Sequence, residues 1–323
     1  MKFIEPSVEY WPQGPGLSGM WSQIARVARL SYDAQPREGE TDAQYVERVI
    51  LKPSRKADGT YDFDKQHGGV LEFGTVYLTI PEKTFGELYI VRGDIDALTE
   101  NNWINKYKFY GYYGNRSVYH ITTNLRFLLE HELFDICKKF IVDEPTEHYR
   151  RYCFHVTTDI GVSREWNRHR ASMSINEEST RHVDYTKDKH GNGITYVKPE
   201  WEVDDYAINI ADADTQKAMF ELMCGQVANG KTDHWTAKDY YEFALQAAEF
   251  SYKGSREKGW RPEQAREVLN LNTKTSVAYC AYEDAWRHFI RLRGSRCVSG
   301  KAHPNIMPLA DEIERKLDEL TKL

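Results

Sequence analysis

The chain has 323 residues, 41% hydrophobic and 28% charged, with 21 glycines and 11 prolines; this balance excludes disorder, collagen and low-complexity polymers, and allows about two core-sized units or one large one. The formal charge is −6, and residues 200–221 alone hold seven acids against Lys217; the rest is balanced, which makes the whole chain a poor partner for nucleic acid but leaves local basic clusters able to hold single phosphates. No run approaches the roughly 18 apolar residues of a membrane span, and Met-Lys-Phe-Ile-Glu-Pro at the start lacks a secretory apolar core, so a cytoplasmic protein with no membrane partner is expected.

Ile24, Val27, Ala28 and Ser31 stand at helical spacing, and Thr41 with Gln44 forms a capping box ahead of Tyr45, Val46, Val49 and Ile50, so two helices open the chain. Residues 69–80, 88–91 and 117–123 are β-rich and predict three strands, and Leu125, Leu129, Leu133, Ile136 and Phe140 then make one helical stripe. A short strand over residues 152–158 feeds a turn at Asp159 and Gly161 into a helix through Trp166. Thr236 with Asp239 caps a helix that Gly259 stops, and Pro262 opens a short one. Trp286, Phe289 and Ile290 mark a further helix, and the last begins near Pro304 with Ile306, Leu309, Ile313 and Leu317 turned inward. The fold class is α+β, a central mixed sheet flanked by helices with a helical C-terminal half, in a single unit over 1–323 with residues 190–235 as an acidic elaboration.

Gly14-Pro15-Gly16-Leu17-Ser18-Gly19 spells a dinucleotide string, but the preceding Val8 to Pro12 is polar and proline-broken and Pro15 sits inside the loop, so a plain turn is expected. Arg164, Arg168, His169 and Arg170 are concentrated in seven residues, with Arg164 and Arg168 on one helical face; alone, such a cluster reads as solvated surface. Ser172, Ser174, Asn176, Glu177, Ser179 and Arg181 follow with only Met173 and Ile175 as apolar members, too polar for a core. Guanidinium and hydroxyl donors suit phosphate oxygens and the acids suit ribose hydroxyls or base N–H groups, so a nucleotide site is inferred.

A second cluster holds Arg266, Arg287, His288, Arg291, Arg293 and Arg296. Arg287 and Arg291 are one turn apart and expected to face water, and His288 reads equally as a core histidine or a ligand. Arg293, at an element end beside Gly294, is placed to reach a bound group. His67 and Glu72 read first as strand-edge polar residues. P-loop, metalloprotease, serine-hydrolase and zinc-deaminase signatures are all missing, and the five cysteines form no C-x-x-C pair, so no metal is expected.

As a set these residues resemble the flavin-dependent thymidylate synthases. Arg168-His169-Arg170 followed by Ser174, Asn176, Glu177, Ser179 and Arg181 resembles that family's signature, with its lead-in at Thr158, Asp159, Gly161, Val162, Ser163 and Glu165 and its follow-on at Asp184, Tyr185 and Lys187. Further matches are Ile24-Ala25-Arg26, residues 67–72, Asn124-Leu125-Arg126, residues 259–269, Trp286 with His288 and Phe289, Leu292-Arg293 and Ala302-His303-Pro304. The resemblance implies FAD held by His67, Gly69, Glu72, Arg168, His169, Arg170, Glu177 and His288, and dUMP held by Glu165, Arg168, Glu177, Glu178, Ser179, Arg181, Arg266 and Arg293, partly across a subunit boundary of a homotetramer. It also implies methylenetetrahydrofolate as carbon donor, NADPH as reductant, and Arg293 as the catalytic group that polarises the uracil.

That chemistry needs no cysteine nucleophile, because a cation at the uracil stabilises the charge that makes C5 reactive. The pattern departs from the family in one extra residue between Arg170 and Ser174, in His182 for Tyr, Asn270 for Pro, Glu165 for Gln, Gly69 for Ser or Thr, and Tyr282 for Asn. These departures leave open a relative that modifies another pyrimidine nucleotide or stops at hydroxymethylation. A nucleic-acid-binding protein is the reading from another class.

Overall fold

The computed structural model describes residues 2–31, 35–62, 68–111, 117–169, 173–181, 183–187, 193–201, 212–298 and 300–322. Strands β1 (Lys2–Ile4) and β2 (Ser7–Tyr10) lead into α1 (Gly16–Ser31), which buries Ile24, Val27 and Ala28 as their spacing predicts. Helix α2 (Asp42–Val46) starts on the expected capping box, with the Thr41 hydroxyl accepting from the Gln44 N–H and the Gln44 side chain from the Thr41 N–H at 2.9 Å. A wider turn and α3 (Lys52–Ser54) follow. The β-rich reading of residues 69–80 divides in two, since Gly68–Phe73 is a 3-10 helix and only β3 (Thr75–Pro81) is strand.

Residues 88–91, expected to be a strand, are instead the end of α4 (Glu82–Val91). Pro81 caps that helix, and Phe85 and Leu88 reach the core at a spacing of three, so packing overrides the β propensity of Tyr89, Ile90 and Val91, which stay in solvent. Strands β4 (Lys106–Tyr110) and β5 (Val118–Asn124) come next. The single stripe expected from Leu125 onward is two helices, α5 (Leu125–Glu130) and α6 (Phe134–Cys137), because Glu132 takes a left-handed φ of 53° and the Leu133 N–H turns back to the Leu128 carbonyl.

Strand β6 (Arg151–Asp159) and α7 (Ile160–Trp166) form as read, but α7 stops at Trp166, so Arg168 lies beyond the helix and does not share a helical face with Arg164. The polar run continues as β7 (Met173–Glu177), with Ser174 buried, against the expectation that none of it could enter a core. Then come β8 (Thr195–Val197), α8 (Ala213–Ala228), α9 (Ala237–Glu257), α10 (Pro262–Ala265), β9 (Lys274–Tyr282), α11 (Glu283–Arg293) and α12 (Met307–Thr321).

Among the described residues the strands form three sheets: four-stranded β2-β6-β9-β7, three-stranded β3-β5-β4, and the pair β1-β8. The two larger sheets are antiparallel throughout, and the parallel pairing belongs to β1 and β8, so the expected mixture is divided between sheets and not found within the central one. The α+β class holds. Strand β9 sits between β6 and β7 with Cys280 opposite both Cys153 and Ser174.

The central sheet is buried on both faces. Cys153, Ala278 and Cys280 pack with α1, α2 and the three-stranded sheet, while Phe154, Val277, Tyr279 and Ala281 pack against α7, α11 and α12. A third cluster joins β1 and β8 to α9 through Phe3, Tyr196, Leu245 and Tyr252. The glycine string does follow a strand, which the sequence reading missed, but β2 is an antiparallel edge strand with no place for a dinucleotide crossover. Gly19 is required there for packing, since a Cβ would lie 1.8 Å from the Gly14 carbonyl oxygen. Among the described residues no helix is long and apolar enough to cross a membrane.

Candidate functional site

The carboxyl end of β6 starts the site. Asp159 caps α7 by accepting from the Val162 N–H at 2.7 Å, and its other oxygen accepts from Asn305 at 3.2 Å. The short helix lays Trp166 between Tyr279 of β9 and Phe289 of α11, with ring centroids 4.5 and 4.2 Å away. That stack fixes α7 against both elements, so the residues leaving its end, Asn167, Arg168 and His169, emerge beside α11.

Arg293 is the last residue of α11. The following Gly294 leaves room that a side chain would fill, since a Cβ would come within 2.8 Å of Asp311 Oδ1 and 2.9 Å of the Ile290 carbonyl. Helix α12 therefore presses against the end of α11 and sets the level at which Arg293 departs. Arg293 Nη1 donates to Glu165 Oε2 and Nε to His169 Nε2, both at 3.0 Å. The arginine from the late cluster thus meets the glutamate and histidine of the early one. Burial, then Arg293, then His288 push the His169 imidazole down to about 4, so the ring is neutral, accepting at Nε2 and carrying its proton on Nδ1.

At the end of β7, Glu177 accepts from Ser163 Oγ at 2.8 Å, Thr275 Oγ1 at 2.9 Å and Asn167 Nδ2 at 3.4 Å, and Tyr279 in turn donates to Asn167 at 3.2 Å. Its carboxylate is held by neutral donors. The adjacent Glu178 is held by a cation, Lys274, at 2.6 Å. Further along, Arg266 donates to Thr180 at 3.2 Å, beside Ser179, and the exposed Arg181 faces Glu263 at 3.8 Å. Arg168 is exposed with no carboxylate partner among the described residues.

The remaining flavin candidates divide. Gly69 and Glu72 lie on the 3-10 helix at the opposite end of β7, where Arg126 pairs with Glu72 at 2.9 Å and Arg151 bridges the Glu72 carbonyl and Ser174. His288 is exposed on α11 and receives Arg291 at 3.0 Å. It lines a cleft of about 1180 Å³ between α11, β4 and the segment before β6. Arg287 and Arg291 line this cleft too, so the pair expected to face water faces a concavity. His67, Arg170 and His182 lie outside the described residues.

The structure therefore joins Glu165, His169, Arg293 and, through α7, Glu177; it keeps Arg266 and Glu178 on the next turn of chain, and leaves Glu72 and Arg181 apart. The sequence reading missed Ser163, Asn167, Thr275 and Lys274 as partners of the acids. Thr275 and Lys274 open β9, the strand that it did not see.

This geometry defines a mixed α/β protein in which an arginine from a C-terminal helix is held on a glutamate and neutral histidine from the signature segment. The chain belongs to the thymidylate synthase complementing protein family, the flavin-dependent thymidylate synthases, whose model matches residues 122–321. Membership places it among enzymes that methylate dUMP. Two solved structures are similar to it. One is the UMP/dUMP methylase PolB from Streptomyces cacaoi bound with 5-Br dUMP, 23% identical with a TM-score of 0.34, covering 53% of this chain and 67% of that one. The other is the same methylase bound with 5-Br UMP, 15% identical with a TM-score of 0.39, covering 99% and 92%. No curated protein matches the chain.

Proposed function

We propose that the protein makes dTMP from dUMP as a flavin-dependent thymidylate synthase, with methylenetetrahydrofolate as carbon donor, FAD as hydride carrier and NADPH as reductant, in a homotetramer that shares its active sites. The observation that carries this reading is the contact of Arg293 with both Glu165 and His169 at 3.0 Å, because it joins residues 124 or more positions apart that the resemblance assigns to one uracil and one flavin. Residues 190–235 are read as an elaboration of a single unit; within it, α8 buries only Met223 among its described side chains.

The side chains suit FAD. An exposed Arg168 without a carboxylate partner among the described residues offers donors to a pyrophosphate, the neutral His169 offers a planar polar ring beside Arg293, and the exposed His288 offers another at the wall of a wide cleft. When bound, the flavin supplies the hydride that reduces the transferred one-carbon unit. Arg168, His169 and His288 would hold it, with Glu177 positioning α7 beneath.

Arg293 acts on the pyrimidine. Its guanidinium is already oriented by Glu165 and His169, so it meets charge developing on the uracil carbonyl without reorganising, and the ring becomes nucleophilic at C5. A neutral His169 adds no competing cation. No thiol is needed: Cys137 is buried with its thiol pushed up by that burial, Cys153 and Cys280 are buried opposite each other inside the central sheet, and the Cys297 thiol donates to the Leu292 carbonyl.

Purified protein is expected to be yellow and to form dTMP from dUMP in the presence of methylenetetrahydrofolate and NADPH, read by flavin absorbance and product mass spectrometry. Colourless protein without dUMP-dependent NADPH oxidation, or a hydroxymethylated product, contradicts this reading.

A further inference from the structure

Arg293 is only partly used by its own chain. Nη1 donates to Glu165 Oε2 and Nε to His169 Nε2, both at 3.0 Å, and among the described residues Nη2 has no partner. Glu165 is engaged through Oε2, which leaves Oε1 without a partner among the described residues. The two side chains keep 21% and 31% of their exposure and neither open atom is buried, so the pair stands ready for an incoming ligand. A guanidinium only donates, and the carboxylate ion-paired with it only accepts. A planar base lying against the pair therefore meets donors on one side and an acceptor on the other.

The pyrimidines answer this pattern differently. From O2 through N3 to the group on C4, cytosine presents acceptor, acceptor and donor, whereas uracil presents acceptor, donor and acceptor. The pair matches all three groups of cytosine, with the guanidinium on O2 and N3 and the Glu165 carboxylate on the amine, the acid being the usual acceptor for that amine. Uracil turned the same way would face its N3–H to the guanidinium and its O4 to the carboxylate, donor against donor and acceptor against acceptor. Shifted, it puts N3–H on Glu165 and one carbonyl on Arg293, and the other carbonyl must be answered elsewhere. The edge thus accepts uracil in part and cytosine in full.

We propose that the site takes dCMP as well as dUMP, with Glu165 accepting from the cytosine amine, and that the protein methylates dCMP at C5. The proposal rests on the function read above, in which Arg293 is the group that meets the pyrimidine. Charge developing on N3 of cytosine then meets the same guanidinium that answers the uracil carbonyl. The change balances: dCMP, methylenetetrahydrofolate, NADPH and a proton give 5-methyl-dCMP, tetrahydrofolate and NADP+. C5 loses its hydrogen as a proton and bonds to the methylene carbon, whose bonds to the folate nitrogens break. Those nitrogens take up that proton and one from solvent, and the hydride given up by NADPH completes the methyl group.

The test supplies dCMP or dUMP as the one pyrimidine nucleotide to wild type and to Glu165→Gln, with products read by mass spectrometry. Wild type is expected to form 5-methyl-dCMP from dCMP and dTMP from dUMP. In Glu165→Gln, whose amide can donate to O4 as well as accept, the ratio of kcat/KM for dCMP to that for dUMP should fall by about tenfold or more, the worth of a charge-assisted bond. A merely structural Glu165 would lower both nucleotides together and leave the ratio unmoved. Formation of dTMP with no product from dCMP, or an unchanged ratio in the variant, overturns the proposal while leaving the synthase reading intact. If neither nucleotide is converted, the synthase reading fails, and calorimetry with dCMP and dUMP alone still tests cytosine recognition. Binding of dCMP by wild type that weakens against dUMP in Glu165→Gln upholds that recognition, and any other pattern overturns it.

Discussion

The two sides of α11 differ in how their charges are answered. At its end, Arg293 is matched by Glu165 and His169, and nearby Glu177 by three neutral donors. On its exposed flank, Arg291 and the facing Lys108 and Arg150 have no carboxylate among the described residues. Groups satisfied within the chain are preorganised, so altering them should damage turnover or folding; cations left over are poised for something that arrives, so altering them should change only its affinity.

Arg293→Ala tests the first half most severely. Loss of one preorganised donor at a developing negative charge lowers turnover by about 10²–10³-fold, and flavin absorbance should be retained; turnover near wild type would remove Arg293 from the chemistry. Next in size is the scaffold. Trp166 is buried between two rings, so Trp166→Ala should cost about 3–5 kcal/mol in urea unfolding, and a loss below about 1 kcal/mol would show that the stack does not position α7.

Glu177→Leu sharpens the contrast further, because it strands the Ser163 and Thr275 hydroxyls and the Asn167 amide at a cost of about 1–3 kcal/mol. Glu177→Gln, which keeps acceptor capacity, should lose less; equal losses would point to charge as the requirement. The imidazoles give a pH signature. His148 and His169 protonate near 6.5 when unfolded and near 4 when folded, so the unfolded chain takes up more protons between these values. Stability should be fully present above pH 6.5 and decline as the pH falls toward 4, with His169→Gln flattening part of that slope; an unchanged slope would show that the ring is not buried neutral. The smallest effect is expected from Cys297→Ser, which should leave dTMP formation within twofold; its abolition would restore a thiol mechanism.

Much of the site could be read before its geometry was known, because its chemistry lies in residue types that a core does not use: Arg168, His169, Glu177 and Arg293 stand out against ordinary patterning. Caps were equally readable at Thr41 and Thr236, which each satisfy orphan N–H groups within a few residues, whereas Asp159, read as part of a turn, is a cap as well. Strand β9 was not. Both its faces are buried, so the alternation that reveals a half-exposed strand is missing, and Thr275, which it presents to Glu177, went unread with it. At α4 a β-branched and aromatic tail follows the helix started at Pro81, a case where position in the fold outweighs local preference. The basic cleft was hidden for another reason: Lys108, Arg150 and Arg291 are far apart in the chain, and the three-stranded sheet is needed to bring them together.

The most direct measurement is a crystal structure of the protein with dUMP. The account predicts the uracil within hydrogen-bond reach of the Arg293 guanidinium, about 2.7–3.2 Å from a ring oxygen, with Arg168 and Arg266 turned toward the phosphate. A pyrimidine bound elsewhere, out of reach of the Arg293 guanidinium, would contradict it.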